Sequence, residues 1–248
     1  MRRTPPKSKT LSDENPFSLS LGDLMAGLLL IFVLLLSFLM LNLSEIVDFY
    51  IKLQSELYKD LEEEFKDDLK EWNAVLDQET LSVRFKGPRV RFIRGKAEIR
   101  QEFKNILDQF FPRYIKILRE TKDIDGEAKY INNIAEIRIE GHTSSEWHAG
   151  VSAEEAYIHN MELSQARTRS VLKYVLQTSI GNNEAIPIEQ RQKIKEWLKQ
   201  PLTANGLSSS KLIFNPDGTE NKEESRRVEF RVRIDAEKLL YNIIGGKP

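Results

Sequence analysis

The sequence FSLSLGDLMAGLLLIFVLLLSFLMLNL, residues 17–43, contains a single charged side chain, that of Asp23. A helix rises about 1.5 Å per residue, so residues 24–43 alone cover roughly 30 Å, the thickness of the hydrocarbon core of a bilayer. The run is longer than the apolar part of a signal peptide and ends without a small-residue cleavage site. We therefore predict a retained transmembrane helix over residues 17–43.

Asp23 lies about two helical turns inside this apolar run. An ionised carboxylate there costs on the order of 2–3 kcal/mol or more unless it is solvated or protonated. Intramembrane carboxylates mark the routes of protons and ions, which makes Asp23 a candidate proton-binding residue. A second, compatible interpretation is a helix start, with Ser20 as N-cap and Asp23 as an acidic residue of the first turn.

Charge is distributed unevenly around the predicted membrane helix. Four cations, Arg2, Arg3, Lys7 and Lys9, precede it, whereas residues 45–79 hold twelve acidic residues and four lysines. The positive-inside rule then makes residues 1–16 a cytoplasmic tail and places the rest in the periplasm of a bacterial inner membrane. The chain has no cysteine, which excludes disulfides, thiol catalysis and cysteine-bound metals.

Residues 44–79 are predicted to form a helical linker, because they lack Gly and Pro and are rich in helix formers. Their apolar positions recur every 3.75 residues, the average of eight steps between Ile46 and Leu76. That period indicates a straight or slightly right-handed seam rather than a left-handed coiled coil. The seam either pairs with a second copy, giving a homodimer, or packs on the chain's own domain.

Residues 80–235 alternate between strand and helix patterns, and residues 236–248 form a C-terminal tail. Strands are predicted at 81–85, 89–93, 134–139 and 226–234, with a turn at Gly87-Pro88. Helices are predicted at 99–120, 163–177 and 188–199, and chain breaks at Pro201 and at Asn205-Gly206. Phe103, Ile106, Leu107, Phe110 and Phe111 form the inner face of the first of these helices. This order predicts an α+β sandwich with helices on one face of the sheet.

Three motifs in this region resemble the OmpA-like peptidoglycan-binding domain. They are Ile139-Glu-Gly-His-Thr143, then Asn160-x-x-Leu163-Ser164-x-x-Arg167, and Ser225-Arg-Arg-Val-Glu-Phe230. The resemblance implies that Arg167 pairs with a diaminopimelate carboxylate of the peptide stem. It further implies a binding pocket shaped by Asn160, Leu163, His159, Thr143 and Ser144. Apart from the motif, Arg167 would be interpreted as a surface cation.

One position departs from the family pattern. The family usually carries Asp after Gly-His-Thr, where it helps to hold the amino group of the ligand, and this chain has Ser144. Glu146 and Glu162 are the nearby carboxylates that would compensate for the missing Asp. The substitution bears on which peptide the pocket prefers.

A membrane helix with an early Asp, joined to an OmpA-like domain, resembles the MotB-like stator subunits of ion-driven motors. The segments 16–25, 188–194 and 223–230 are most similar to the stator-like proteins of Zorya anti-phage defence. The resemblance implies a homodimer inside a ring of MotA-like membrane subunits, bound to peptidoglycan and driven by ions at Asp23. Protons are the expected ions, and sodium stays open.

Other functions are weighed against this one. A passive membrane-anchored cell-wall tether and a flagellar-type stator subunit remain alternatives. A hydrolase is disfavoured, because no Ser/His/Asp order, zinc spacing or paired-carboxylate motif stands out. His142, His148 and His159 lack metal-ligand spacing, so no metal, cofactor or catalytic residue is expected. No basic patch with interleaved aromatic residues indicates nucleic-acid binding.

Overall fold

The computed structural model describes residues 16–87, 92–93, 95–236 and 238. Of residues 16–20 it describes the backbone alone. It separates into two compact units, Met1–Val47 and Asp48–Pro248. Several predicted features fall at least partly outside the described residues. They are residues 1–15 of the predicted tail at 1–16, Pro88 of the predicted Gly87-Pro88 turn, most of the strand at 89–93 and nearly all of the C-terminal tail. The expected linker at 44–79 falls largely in the second unit.

Helix α1 spans Pro16–Phe65. Within the first unit, its Leu, Met and Phe side chains between residues 21 and 43 are exposed, which suits a lipid-facing segment. It is the one described helix that is long and apolar enough to cross a membrane. The proposed N-cap at Ser20 is wrong, because the backbone is already helical from Pro16, a residue favoured in the first helical turn. Asp23 therefore lies two turns inside the helix and has an exposed side chain.

The second unit is built on a five-stranded sheet with the order β1-β2-β5-β3-β4. Its strands are β1 (Ala74–Asp77), β2 (Ser82–Lys86), β3 (Ile134–Gly141), β4 (Leu202–Gly206) and β5 (Arg227–Ile234). All neighbours are antiparallel except β3 and β4, which run parallel. The α+β class is confirmed. The break predicted at residues 201–206 is wrong, because this segment pairs with β3 as strand β4.

Helices α3 (Gln101–Glu120), α4 (Ala153–Tyr174) and α5 (Ile188–Leu198) accompany the sheet, with single turns α2 (Asp68–Glu71) and α6 (Lys222–Ser225). The predicted inner face of α3 is buried as expected. Phe110 is central to the core, with its ring centroid 5.0 Å from that of Phe85 and 5.1 Å from that of Phe230.

Helix α4 begins ten residues before its predicted start at Leu163 and is followed by a π-helical turn, Val175–Ile180. A capping box sets this start, since the Ser152 hydroxyl accepts from the Glu155 amide and the Glu155 carboxylate accepts from the Ser152 amide. Asn160 is therefore two turns inside the helix instead of at its beginning.

The second part of α1 packs on the chain's own domain. Leu53, Leu57, Leu61 and Phe65 are buried, and the Phe65 ring lies 5.2 Å from that of Phe110. For these residues the structure shows docking on the domain and not a seam open to a second copy. The helical linker predicted over residues 44–79 is also wrong at its end. Asn73 adopts a positive φ of 52°, and the chain then forms β1 against β2.

The docked seam predicts a stability effect. Leu61→Ala should lower the free energy of unfolding by about 2–5 kcal/mol, because it leaves a cavity at a side chain with no solvent exposure. Ile51→Ala on the same helix is the control, since Ile51 is 56% exposed and should change stability by less than about 0.5 kcal/mol. Urea unfolding followed by tryptophan fluorescence measures both. An unchanged unfolding midpoint with a changed oligomeric state would favour the self-association alternative.

Candidate functional site

A cavity of about 520 Å³ opens where β3 ends, beside α4 and the start of β5. Its wall combines the β3 end and following loop, one face of α4, the first residues of β5 and the segment before α3. These are Gly141–Ser144, Glu146–His148, Asn160, Leu163, Ser164, Arg167, Arg226–Val228, Phe92, Gly95 and Arg100. The pocket brings together Thr143, Ser144, Asn160, Leu163 and Arg167 of the predicted set.

Small residues let α4 approach the parallel strands closely enough to build this wall. A Cβ on Gly206 would lie 2.3 Å from the Gln165 nitrogen, and one on Gly141 would lie 2.6 Å from Thr168 Cγ2. Ser164 is buried at the crossing, where its hydroxyl accepts from the amide of Ser208 just after β4. The motif residues of α4 are thereby held beside the end of β3.

Asn160 shapes the pocket through the backbone. Its side chain is 3% exposed, and its amide nitrogen donates to the carbonyl oxygens of Ser144 and Glu146, each at 3.2 Å. This pair of bonds fixes the loop that follows β3. The amide group is thus a support for the wall rather than a free ligand donor.

Arg167 presents a guanidinium to the pocket. Its Nε donates to the Lys96 carbonyl at 3.1 Å, and the group lies 4.9 Å from the Phe92 ring centre. Burial, and then the nearby charge of Arg226, lower the pKa of Arg167 to about 10, so it stays protonated at neutral pH. Among the described residues, the Arg167 guanidinium has no carboxylate partner. It is suited to hold an anion by a two-pronged charged hydrogen bond.

Ser144, at the position of the family Asp, interacts with Arg226. The Nε of Arg226 donates to the Ser144 hydroxyl at 2.9 Å, and its Nη2 pairs with the Glu146 carboxylate. Glu146 also pairs with Lys222, and the hydrogen bond from Lys222 is the main reason for its lowered pKa. Of the two proposed compensating carboxylates, Glu146 lies on the wall and Glu162 does not.

His159 and Thr143 have contrasting environments. His159 is outside the lining and stacks on Trp147, a wall residue, with ring centroids 5.2 Å apart. Thr143 is buried on the wall, and its hydroxyl has no hydrogen-bond partner within the described part of the chain. His159 would therefore affect the pocket through its stacking on Trp147. Thr143, in contrast, has a hydroxyl group that is free to donate a hydrogen bond to a ligand.

A buried charged cluster lies behind the pocket. His142 Nε2 is 3.8 Å from a Glu140 oxygen and 3.7 Å from a Glu229 oxygen, an arrangement that has the spacing of a metal site. However, Arg227, Arg84 and Arg138 already pair with these two carboxylates. Because three guanidinium groups outnumber two carboxylates, a divalent cation would be repelled. We assign this cluster as an ion-pair network that supports the strand ends.

No family model matches the chain. It is 37% identical over 238 residues to Zorya protein ZorB from the Crooks strain of Escherichia coli, with 93% of each chain covered. The chain belongs to the ZorB family. This relationship spans both the apolar helix and the sheet domain.

Solved structures similar to this ZorB-family chain are more distant. A MotB-like protein from Desulfovibrio vulgaris is 23% identical and covers 74% of this chain and 96% of its own, with a TM-score of 0.46. The cell wall anchor of the T6SS from Pseudomonas aeruginosa is 20% identical and covers 70% and 96%, with a TM-score of 0.41. The family assignment rests on the sequence relative alone.

Sequence analysis of this ZorB-family chain missed several residues of the pocket wall, among them Arg226, Arg100 and Trp147. Arg226 stood inside a quoted motif and at a strand start, but it received no role. Arg100 and Trp147 belong to segments without a motif, and only the fold brings them to the pocket. No local sequence signal links Arg226 to the Ser144 substitution, because the two residues lie 82 positions apart and meet only in the fold.

The buried network predicts a pH-dependent stability. Burial alone would raise the pKa of Glu229, but the charge of Arg227 beside it, with smaller contributions from His142 and Arg84, lowers it below its usual value. The stabilisation is therefore complete above the unfolded-state pKa of about 4.3 and is lost as the pH falls through the lower folded pKa. Glu229→Gln should lower the free energy of unfolding at pH 7 by about 3–5 kcal/mol, since it leaves Arg227 buried without its partner.

Urea unfolding at pH 7 and at about pH 3, below the usual pKa of a Glu carboxyl, measures this effect. Glu196→Gln is the control, because the Glu196 carboxylate is 71% exposed in its pair with Lys199. A loss at Glu229 no larger than that at Glu196 would contradict the buried-network assignment.

Proposed function

We propose that this ZorB-family chain is a MotB-like subunit of an ion-driven inner-membrane motor, anchored to peptidoglycan and active in anti-phage defence. The anchor is the pocket at the end of β3, which binds the peptide stem. The observation that carries this proposal is the Arg167 guanidinium, which faces the pocket without a carboxylate partner among the described residues. The chain acts by binding and ion transfer and not as an enzyme, and no cofactor is involved.

Binding of a stem peptide uses the chemistry of the wall. A ligand carboxylate takes the open side of Arg167, and Leu163 supplies apolar contact one turn earlier on the same helix. Thr143 and Ser144 in the loop after β3 offer hydroxyl groups, while Asn160 keeps the loop in place. Such a site grips a polymer reversibly, since it depends on a few charged hydrogen bonds.

The motor part of the proposal concerns Asp23. In this arrangement α1 crosses the membrane once, with the N-terminus in the cytoplasm and the sheet domain in the periplasm. Two copies pair inside a ring of MotA-like (ZorA-type) subunits. Asp23 takes a proton from the periplasmic side and releases it toward the cytoplasm. Its charged and neutral forms differ in solvation by several kcal/mol, which biases the packing between the helix and the ring.

Two other functions share the pocket but differ in the role of Asp23 or in the setting. A passive tether holds the cell wall and carries no ions. A flagellar-type stator carries ions but has no part in defence. The ZorB family relationship favours defence, and the position of Asp23 two turns inside α1 favours ion transfer.

The anchor is tested with isolated sacculi. Arg167→Ala should weaken sedimentation of the purified full-length protein with sacculi by about tenfold or more, because it removes the charged hydrogen bonds to the ligand. Arg169→Ala is the matched control, an exposed arginine on the same helix that does not line the pocket. Equal binding by the two variants would contradict the pocket assignment.

The ion site is tested by phage plating on cells that carry the native operon. Asp23→Asn should abolish protection at matched membrane levels, because an amide neither takes up nor releases a proton at this pH. Asp48→Asn, on an exposed position of the same helix, should keep it. Retained protection in Asp23→Asn would favour the tether. A wild type that gives no protection would contradict the defence role and favour a flagellar-type stator.

A further inference from the structure

The pocket wall is unusually rich in positive charge. Four arginines and one carboxylate line it, namely Arg100, Arg167, Arg226, Arg227 and Glu146. Glu229 neutralises Arg227 from behind the wall. Glu146 has to serve both Arg226 and Lys222. The wall therefore has more guanidinium groups than it can neutralise, which favours a ligand with more than one anionic group.

Arg226 occupies the space beside Ser144. Its Nε donates a hydrogen bond to the Ser144 hydroxyl at 2.9 Å, so the guanidinium lies against the loop that follows β3. A ligand ammonium in this place would meet a like charge, whereas a ligand carboxylate would meet donors. The Arg226–Glu146 pair does not block this, because both side chains are partly exposed, at 35% and 46%, and exposed pairs are weak.

A second observation points to an acceptor group in the ligand. Thr143 is 4% exposed and lines the pocket, and its hydroxyl has no partner among the described residues. A buried hydroxyl without a hydrogen bond is costly, and an oxygen of a bound carboxylate would supply the missing acceptor.

We propose that the pocket recognises two carboxylates of the stem peptide, one at Arg167 and one at Arg226, and does not require a free amino group. This inference rests on the proposed function, because it specifies the ligand of the same pocket. It follows that stem peptides whose diaminopimelate amine is acylated in a cross-link bind as well as free ones. The substitution at Ser144 thus widens recognition to cross-linked cell wall.

The experiment compares synthetic stem tetrapeptides, L-alanyl-γ-D-glutamyl-diaminopimelyl-D-alanine, by calorimetry with the full-length protein in detergent. One form is unmodified, one is acetylated on the free amine, and others carry single carboxyl amides. Acetylation should change Kd by less than about twofold. Amidation of either of the two carboxyl groups that bind Arg167 and Arg226 should raise Kd by about tenfold or more. In Arg226→Gln one of these two amidations should lose its effect.

Two further variants sharpen the result. Lys222 also pairs with Glu146 but does not line the pocket. Lys222→Gln therefore removes one positive charge, as Arg226→Gln does, and should preserve the loss of affinity caused by each of the two amidations. Ser144→Asp should restore dependence on the free amine, seen as weaker binding of the acetylated peptide. Loss of binding on acetylation of the wild-type ligand would overturn the inference and leave the anchor intact. No binding of any tetrapeptide would overturn the proposed function together with the inference.

Discussion

The close crossing of α4 over the parallel strands β3 and β4 is the constraint on which the pocket depends. Glycine stands at both strand ends, and a Cβ at Gly141 or Gly206 would fall within 2.6 Å of an atom of α4. The crossing is tight enough for Ser164 to bond the backbone beyond β4. Leu163 and Arg167 lie one turn apart on this helix, so the crossing also fixes how far the Arg167 guanidinium reaches into the pocket. A bulkier residue at either strand end would move the helix and the binding group together.

Apart from Arg100, the arginines near the pocket fall into two groups with different tasks. Arg84, Arg138 and Arg227 pair with buried carboxylates, and they stabilise the strand ends only while those carboxylates stay ionised. Arg167 and Arg226 face the cavity, where Arg226 has a partly exposed partner and Arg167 has a backbone carbonyl and a ring. Because the two carboxylates behind the wall are already paired, they do not neutralise Arg167 and Arg226, whose guanidinium groups remain for a ligand.

Sequence patterns predicted the elements whose periodicity is strong and local. The inner face of α3 and strand β5 were found in this way, since alternation and helical spacing report burial directly. The motif residues of the pocket were predicted from the resemblance to the OmpA-like domain and not from periodicity. Strands β1 and β4 were missed, because Ala74–Asp77 continues a helix-like pattern and β4 contains Asn205-Gly206, which resembles a turn. Strand β1 forms by pairing with the nearby strand β2, whereas β4 pairs with β3, about 65 residues away in the sequence. Arg226 was missed as a site residue for the same reason, since its contact with Ser144 joins residues 82 positions apart.

The charged groups that the pocket offers to a ligand, Arg167 and Arg226, are partly accessible to solvent, so a single pocket would bind its ligand only weakly. A few solvent-accessible charged hydrogen bonds give weak, reversible binding at each site, and salt screens it further. In the proposed dimer, however, two pockets would bind one polymer, and the second binding event would be intramolecular. Effective concentrations in the millimolar range can raise overall binding by about 10²–10⁴ without any new contact. A pocket that accepts cross-linked and free stems alike would increase the density of usable sites near each copy, so weak individual contacts suffice for a firm anchor that can still be released.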